Sequence, residues 1–356
     1  MTIFRKISNK IRVLTQQRRD KNVRYLKGGA PGNYKKNIIF LLPALRYPCG
    51  GNIVTHNHSD TINQIQYKSF QSQILYPAEP GFTPDLFEHQ SSIRRNLVLD
   101  PHKDLVVIPD VLVLRHAEKL QEAGIPYAIN VQNGYLMDLE MRSQPQRFSA
   151  LKAAYEGAAF IVSMSADTTA NIRLVFPGCS EKIIPSSYVI DKAIFRPVSQ
   201  KQNLITYMPR KLAKHSEMFL FFLGDKLPSH WKIQAIDGVS ENEVYRIFSE
   251  SKIFLSFSEF EGLAMPPVMA ALSGNLVIGY TGEGNKEYFH LPCFREVACG
   301  DIKDFVEKVL MAIDQFDRNH YQVDMDSVDI LTEKFSKQAQ ILFLKNLIDV
   351  ADSCLV

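Results

Sequence analysis

Residues 256–288 read SFSEFEGLAMPPVMAALSGNLVIGYTGEGNKEY, and the order of elements in this stretch decides the fold. An apolar run, Ile253 to Phe257, has the pattern of a buried strand and passes into Ser256, Ser258, Glu259 and Glu261. Gly262 follows, then Pro266-Pro267. The Ala- and Met-rich Val268 to Leu272 reads as a helix whose first turn tolerates proline, because N–H groups there lack intrahelical partners. Gly274 ends the helix, Asn275 to Gly279 restarts a strand, and Thr281-Gly282-Glu283-Gly284-Asn285 is a glycine-rich turn. Strand, loop, helix, strand and glycine loop make part of a parallel α/β sheet, whose ligands bind at the carboxyl ends of the strands. A helix start there offers N–H groups and a positive dipole end to a phosphate, and glycine lets backbone approach an anionic ligand. The pattern alone fits a sugar-phosphate or nucleotide site and an ordinary βαβ unit equally well.

Glu261-Gly262, Pro266-Pro267, the Ala-rich helix, Gly274 and Val277-Ile278-Gly279-Tyr280 resemble, in order and spacing, the donor-site signature of retaining, family 4-type glycosyltransferases of GT-B fold. In that family the pattern runs E-G-F-G-L-P-P-x-E-A-M-A-x-G. Leu263-Ala264 stands here for Phe-Gly, and Met269 stands for the second glutamate. The resemblance implies that Glu261 lies near the donor sugar. It implies that Gly262, Leu263, Ala264, Met265, Pro266, Met269, Thr281, Gly282 and Gly284 bind the donor. The family's second glutamate hydrogen-bonds the nucleotide ribose, which methionine cannot do with a carboxylate's strength.

The 356 residues suit two domains, and 46% apolar with 22% charged residues is an ordinary globular composition. No run of some 18 apolar residues suggests a transmembrane helix, and the start of the chain lacks a signal-peptide pattern. Five scattered cysteines without metal-ligand spacing fit reduced thiols in a cytoplasm. The net charge of +3 hides an asymmetry, since residues 1–27 hold nine Lys/Arg against one acid, Asp20. Within this head Phe4, Ile7, Ile11 and Leu14 fall at helical spacing beside Arg5, Lys6, Lys10 and Arg12. That is the pattern of a helix lying on an anionic membrane surface, and equally of a basic extension without a partner. No aromatic platform or reader motif points to nucleic acid.

After a linker, Gly28 to Gly32, Asn37 to Leu42 reads as a buried strand, and Gly50-Gly51-Asn52 opens a helix running to about Tyr67. This arrangement resembles the acceptor-side loop of GT-B enzymes. His56 and His58 lack a third ligand at zinc spacing and are expected at the surface or in a cleft. Further strands are expected at Gln73 to Leu75, Asp104 to Ile108 and Tyr127 to Val131. The last leads into Gln132-Asn133-Gly134-Tyr135, which resembles a Q-N-x-Y element of related enzymes. Gln132 and Asn133 read either as turn residues or as sugar-hydroxyl contacts. Ile183-Ile184-Pro185 and Asp191…Phe195…Pro197 resemble the segment where such chains leave the first domain. Leu204 to Tyr207 begins the second domain, directly followed by Met208-Pro209-Arg210-Lys211. Two cations at a strand's end suit a diphosphate, with Arg as a fork of donors and Lys as a point charge. With Lys214 nearby, they suit a solvated basic turn as well. Phe219 to Leu223 and Gln234 to Ile236 read as short strands. Ser240 to Glu250 reads as a helix with a Ser240–Glu243 capping box, and Ile302 to Phe316 and most of Ser327 to Asp352 as helices.

The expected architecture is α/β: GT-B, two Rossmann-like domains facing across a cleft. Residues 1–32 form a basic extension and linker, 33–200 an acceptor domain, 201–326 a donor domain, and 327–356 a helix crossing back to the first domain. The resemblance implies a metal-free, cofactor-free retaining transfer from a nucleotide-sugar to a glycan or lipid-linked acceptor, building a bacterial surface polysaccharide. No Asp-x-Asp is tied to a metal, since Asp324 and Asp326 fall in a late connecting segment. The resemblance further implies that Arg210, Lys211 and Glu261 carry the chemistry and that Gly50, Gly51, Asn52, Gln132 and Asn133 meet the acceptor. The expected location is cytoplasmic, at the inner face of a membrane. Two alternatives stand beside this reading: a donor such as phosphoribosyl pyrophosphate, for which Met269 is no defect, and an inactive binding subunit.

Overall fold

The computed structural model describes residues 24–27, 35–47, 49–85, 87–142 and 144–355. The amphipathic stripe from Phe4 to Leu14 and the glycine linker lie outside the described residues. The elements run β1 (Leu26–Lys27), β2 (Asn37–Leu41), α1 (Gly50–Ile65), β3 (Gln71–Leu75), β4 (Ile93–Arg94), β5 (Val98–Leu99), β6 (Asp104–Pro109), α2 (Val113–Glu122), β7 (Tyr127–Val131), α3 (Phe148–Gly157), β8 (Ile161–Ser163), α4 (Ala166–Val175) and β9 (Ile183–Pro185). They continue with β10 (Leu204–Tyr207), α5 (Ala213–Leu223), β11 (Lys232–Ala235), α6 (Glu241–Glu250), β12 (Ile253–Ser256), α7 (Met265–Leu272), β13 (Leu276–Gly279), β14 (Phe294–Glu296), α8 (Ile302–Asp317), α9 (Met325–Lys334) and α10 (Lys337–Cys354). Two compact units result. The first takes the chain up to Ser163, then Thr169–Ser186 and Gln340–Val356; the second takes Met164–Thr168 and Ser187–Ala339.

The first unit is built on a parallel seven-stranded sheet of order β4-β3-β2-β6-β7-β8-β9. Both faces are buried at its centre, so β2, β6, β7 and β8 are covered at every residue and mostly apolar rather than alternating, while β3 and β4 toward one edge carry polar residues. Ile39, Leu41, Val106, Ile108, Ile129 and Val131 pack against α2, α3 and α4. Their neighbours Ile38, Phe40, Leu105, Val107 and Ala128 pack against Ile62 of α1 and against Phe343, Leu344, Leu347 and Ile348 of α10. Each such fully buried side chain is worth roughly 1.5–3 kcal/mol. Polar ties hold α10 in register: buried Gln340 meets Thr61 (3.0 Å) and Asn57 (2.6 Å), and Lys36 pairs with Asp352 at 2.7 Å.

The second unit carries a parallel five-stranded sheet, β11-β10-β12-β13-β14. Ile205, Ile253, Leu255, Leu276 and Ile278 pack on Phe219 and Leu223 of α5 and on Phe305 and Val309 of α8. The expected strand at Phe219–Leu223 is therefore the end of a helix. Phe219 and Leu223, four apart, are buried while Phe221 between them is 81% exposed, a helical period that a short apolar run conceals. At the start of α6 only half of the capping box forms. The Ser240 hydroxyl accepts the Glu243 N–H, but the Glu243 carboxylate turns to Arg246. Asp324 caps α9 by accepting the Ser327 N–H. Among the described residues, no helix is long and apolar enough to cross a membrane.

Candidate active site

In each sheet the strand order reverses once near the middle, between β10 and β12 in the second unit and between β2 and β6 in the first. Such switch points leave a crevice outside the strand carboxyl ends, where ligands of open α/β sheets bind. Both fall beside the candidate residues singled out in the sequence.

In the second unit, Arg210 and Lys211 occupy the turn after β10, and Glu261 lies in the loop after β12. The Lys211 ammonium contacts the Glu261 carboxylate, closing the switch point with an ion pair; Lys211 is half exposed and Glu261 mostly covered. Arg210 is exposed on the same turn. The Glu261 backbone forms a parallel bridge with Glu283, through Glu261 N–H to Gly282 O at 2.9 Å and Gly284 N–H to Glu261 O at 3.2 Å. This crossing explains the glycines. A Cβ on Gly284 would fall 2.0 Å from the Gly262 carbonyl oxygen, and Gly282 takes φ +64° with Ser258 close by. Glycine thus brings two protein loops together here, rather than only admitting a ligand.

Between these glycines Glu283 has φ 67° and ψ −62°, a γ-turn of the rarer hand closed by Gly284 N–H on Gly282 O at 2.9 Å. Its carboxylate pairs with Lys286. Fully buried Asn285 clamps the other loop, accepting the Ala264 N–H at 2.7 Å and donating to the Ala264 carbonyl at 2.9 Å. Thr281 turns its hydroxyl to the Glu283 N–H.

Helix α7 begins at Met265, three residues before the expected start, so both prolines lie in its first turn. Of its first four backbone nitrogens, Pro266 and Pro267 carry no hydrogen and Ala264 is taken by Asn285. Met265 alone keeps a donor facing out of the turn, so a diphosphate here would rely on Arg210 and Lys211 more than on a helix start. Leu263, Met265 and Pro266 are half-buried around this end. Met269 does not begin the helix; it sits one turn in and half-buried. The helix ends on Gly274 at φ +78° in a Schellman turn, with Gly274 N–H to Ala271 O and Asn275 N–H to Ala270 O.

In the first unit, Gly50, Gly51 and Asn52 open α1 after β2. Gln132, after β7, donates its amide to the Gly51 carbonyl (2.9 Å) and to Thr55 (3.0 Å). A Cβ at Gly51 would fall 2.0 Å from the Gln132 Oε1, so a larger residue there would turn the Gln132 amide aside. Asn52 donates to the Pro43 carbonyl, and Asn133 accepts the Tyr135 N–H at 3.0 Å. Between them, after β6, lies a residue the sequence reading passed over. Asp110 is 3% exposed and accepts the N–H groups of Val111 and Asn133, each at 3.0 Å. Burial pushes its carboxyl up to about 7, against the pull of those N–H groups. The signal was an acid directly after an apolar strand, in Ile108-Pro109-Asp110.

His56 and His58, expected at the surface or in a cleft, are instead buried, at 1% and 2% exposure, because α1 is covered on more than one side. His56 bridges Tyr76 (2.7 Å) and Ser91 (3.0 Å), and His58 lies against Phe343 of α10. Among the described residues no three His, Cys, Asp or Glu side chains are grouped to hold a metal ion.

Two parallel sheets flanked by helices give the chain the GT-B fold, which solved glycosyltransferases share. HepE of Anabaena, solved in complex with UDP and glucose, superposes with a TM-score of 0.63 at 12% identity, covering 89% of this chain and 99% of that one. The sucrose-phosphate synthase of Thermosynechococcus elongatus gives 0.65 at 12% identity, with the same coverage. In sequence, an α-1,6-glucosyltransferase of Actinobacillus pleuropneumoniae serotype 7 (strain AP76) is 28% identical over 129 residues. That match spans 34% of this chain and 39% of the relative's length. No protein-family model matches the chain.

Proposed function

We propose that this chain is a retaining glycosyltransferase that moves a sugar from a nucleoside-diphosphate donor, held on the second unit, to a hydroxyl of a glycan or lipid-linked acceptor on the first. The observation that carries the reading is the Lys211–Glu261 pair at the switch point of the second sheet. It sets a cation for the departing diphosphate beside a carboxylate for the sugar hydroxyls. As the glycosidic bond breaks, negative charge grows on the β-phosphate, and Arg210 and Lys211 stabilise it more in the transition state than in the bound donor. Glu261 orients the sugar, and the acceptor oxygen attacks from the face that the phosphate leaves, so the anomeric configuration is kept. The UDP-bound state of HepE supports a uridine nucleotide as the first donor to try. The basic head supports a site of action at an anionic membrane surface in the cytoplasm.

Calorimetry with UDP, ADP and GDP, followed by NMR of the product anomer from the matching sugar nucleotide, tests this. Binding of none of them, or an inverted anomer, overturns it. Met269 favours a second reading, in which the donor is a sugar phosphate without a nucleoside. Phosphoribosyl pyrophosphate in the same titration decides between the two.

A further inference from the structure

We propose that Asp110 is a positioning residue for the acceptor, acting through the backbone of the Gln132–Asn133 turn; this rests on the transferase reading above. The sheet order places β6 between β2 and β7, so the end of β6 lies beneath any group that spans from the β7 loop to α1. Gln132 makes that span, reaching Gly51 and Thr55. Asp110 holds the turn from below: one carboxylate oxygen takes the Val111 N–H and the other the Asn133 N–H. Neither N–H belongs to the sheet ladder, and a half-buried backbone donor gains from a fixed partner. In the ionised form, which predominates above about pH 7, the carboxylate offers an acceptor in both directions at once, whereas the amide of Asn would turn an NH2 group against one of the two donors. Burying a carboxyl at 3% exposure is unfavourable, and an apolar side chain at the end of β6 would avoid that. What the carboxyl adds is a fixed height and angle for Gln132 and Asn133 relative to Gly51. Asp110 itself, covered by the turn, does not reach substrate.

The experiment compares wild type with Asp110→Asn, Gln132→Ala and Asn133→Ala. UDP-glucose serves as donor, with a panel of methyl hexosides and an alkyl glucoside as acceptors, and KM is read separately for donor and acceptor. The expected result is an acceptor KM raised about tenfold in Asp110→Asn, as in the two turn variants, with donor KM and UDP affinity within twofold of wild type. A residue that only stabilised the fold would not split the two KM values. If the turn variants raise the acceptor KM and Asp110→Asn does not, or if donor and acceptor KM rise together, the proposal is overturned. If wild type transfers to no acceptor and binds no nucleotide, the transferase reading fails first, and the two failures are told apart. Should Asp110→Asn not fold, hydrogen exchange of the wild-type protein serves instead. The Asn133 N–H should be protected at least tenfold more than the exposed turns, and exchange as fast as theirs overturns the proposal.

Discussion

Lys211 and Glu261 stand fifty positions apart in sequence, at the ends of two adjacent parallel strands, and their side chains meet. The pairing leaves Lys211 half exposed, so its ammonium can move without breaking any packed structure. With one partner half exposed, a pair of this kind adds little to stability, typically about 1 kcal/mol or less.

Replacing Arg210 and Lys211 together by alanine should lower kcat roughly 10²–10³-fold while leaving the melting temperature within a degree or two of wild type. Both side chains lie at the surface, so stability has little to lose. Steady-state kinetics beside a thermal melt checks this. Unchanged turnover in the folded double variant would place the diphosphate elsewhere.

Met269→Glu separates the two donor readings. If a nucleoside is bound, a glutamate one turn into α7 gains hydrogen bonds to the ribose, each worth about 0.5–1.5 kcal/mol, and calorimetry shows tighter UDP binding. If the donor has no nucleoside, the new charge impairs its use and creates no affinity for UDP. No change in binding or activity would mean that Met269 faces away from the donor.

Glu283→Gly should raise stability by about 1 kcal/mol. A non-glycine residue in this backbone region costs about 1–3 kcal/mol, of which glycine's greater freedom in the unfolded chain returns part. The ion pair lost with Lys286 is exposed and contributes little. Gly284→Ala acts in the opposite sense. Its Cβ meets the Gly262 backbone, and overpacking of this kind costs about 1–3 kcal/mol. Urea denaturation of the two variants reads both signs, and a loss of stability in Glu283→Gly would contradict the strain argument.

Burial, with His89 alongside, pulls the His56 imidazole down to about 3 from its ordinary 6.5. The folded protein thus resists protonating a group that the unfolded chain protonates freely. Its contribution to stability is present above pH 6.5 and is lost as pH falls toward 3. Within that window it gives stability a slope of up to about 1.4 kcal/mol per pH unit, rising with pH. His56→Gln should remove that slope, leaving the part due to His116, which is shifted the same way. Urea midpoints measured from pH 4 to 7 would show an unchanged slope if His56 were open to water.

Much of this was legible in the sequence because it is local. The strand at Leu204–Tyr207 and the glycine that ends α7 are written in short patterns of apolar runs, proline and glycine. The Ser240 cap was visible for the same reason, although its Glu243 partner turned to Arg246, a choice made by a residue three positions on. What could not be read depends on neighbours distant in sequence. Gly284 is required by a carbonyl at Gly262, and Asn285 matters because Ala264 lies opposite. His56 is held neutral by burial with His89 alongside, and the Asp110 carboxylate meets the N–H of Asn133, twenty-three positions on. Phe219–Leu223 shows the limit from the other side. Five residues of one chemistry carry no period, and the helix became evident only from which of them the sheet covers.

Helix α10 also sets an order of events in the making of the protein. The face of the first sheet that bears Ile38, Phe40 and Val107 is covered by Phe343, Leu344, Leu347 and Ile348, residues translated only after the whole of 187–339. At roughly 5–20 residues per second, the ribosome leaves that face without its α10 cover for about 8–30 s while the second unit emerges and can fold. The half that begins first is therefore finished last. A nascent chain stalled near residue 336 should be cleaved readily by protease in its first unit and resist in its second, and chaperones that bind bare apolar sheet would act on residues 35–186. A late stop codon in the gene, near position 340, would spoil the half of the protein encoded farthest from it.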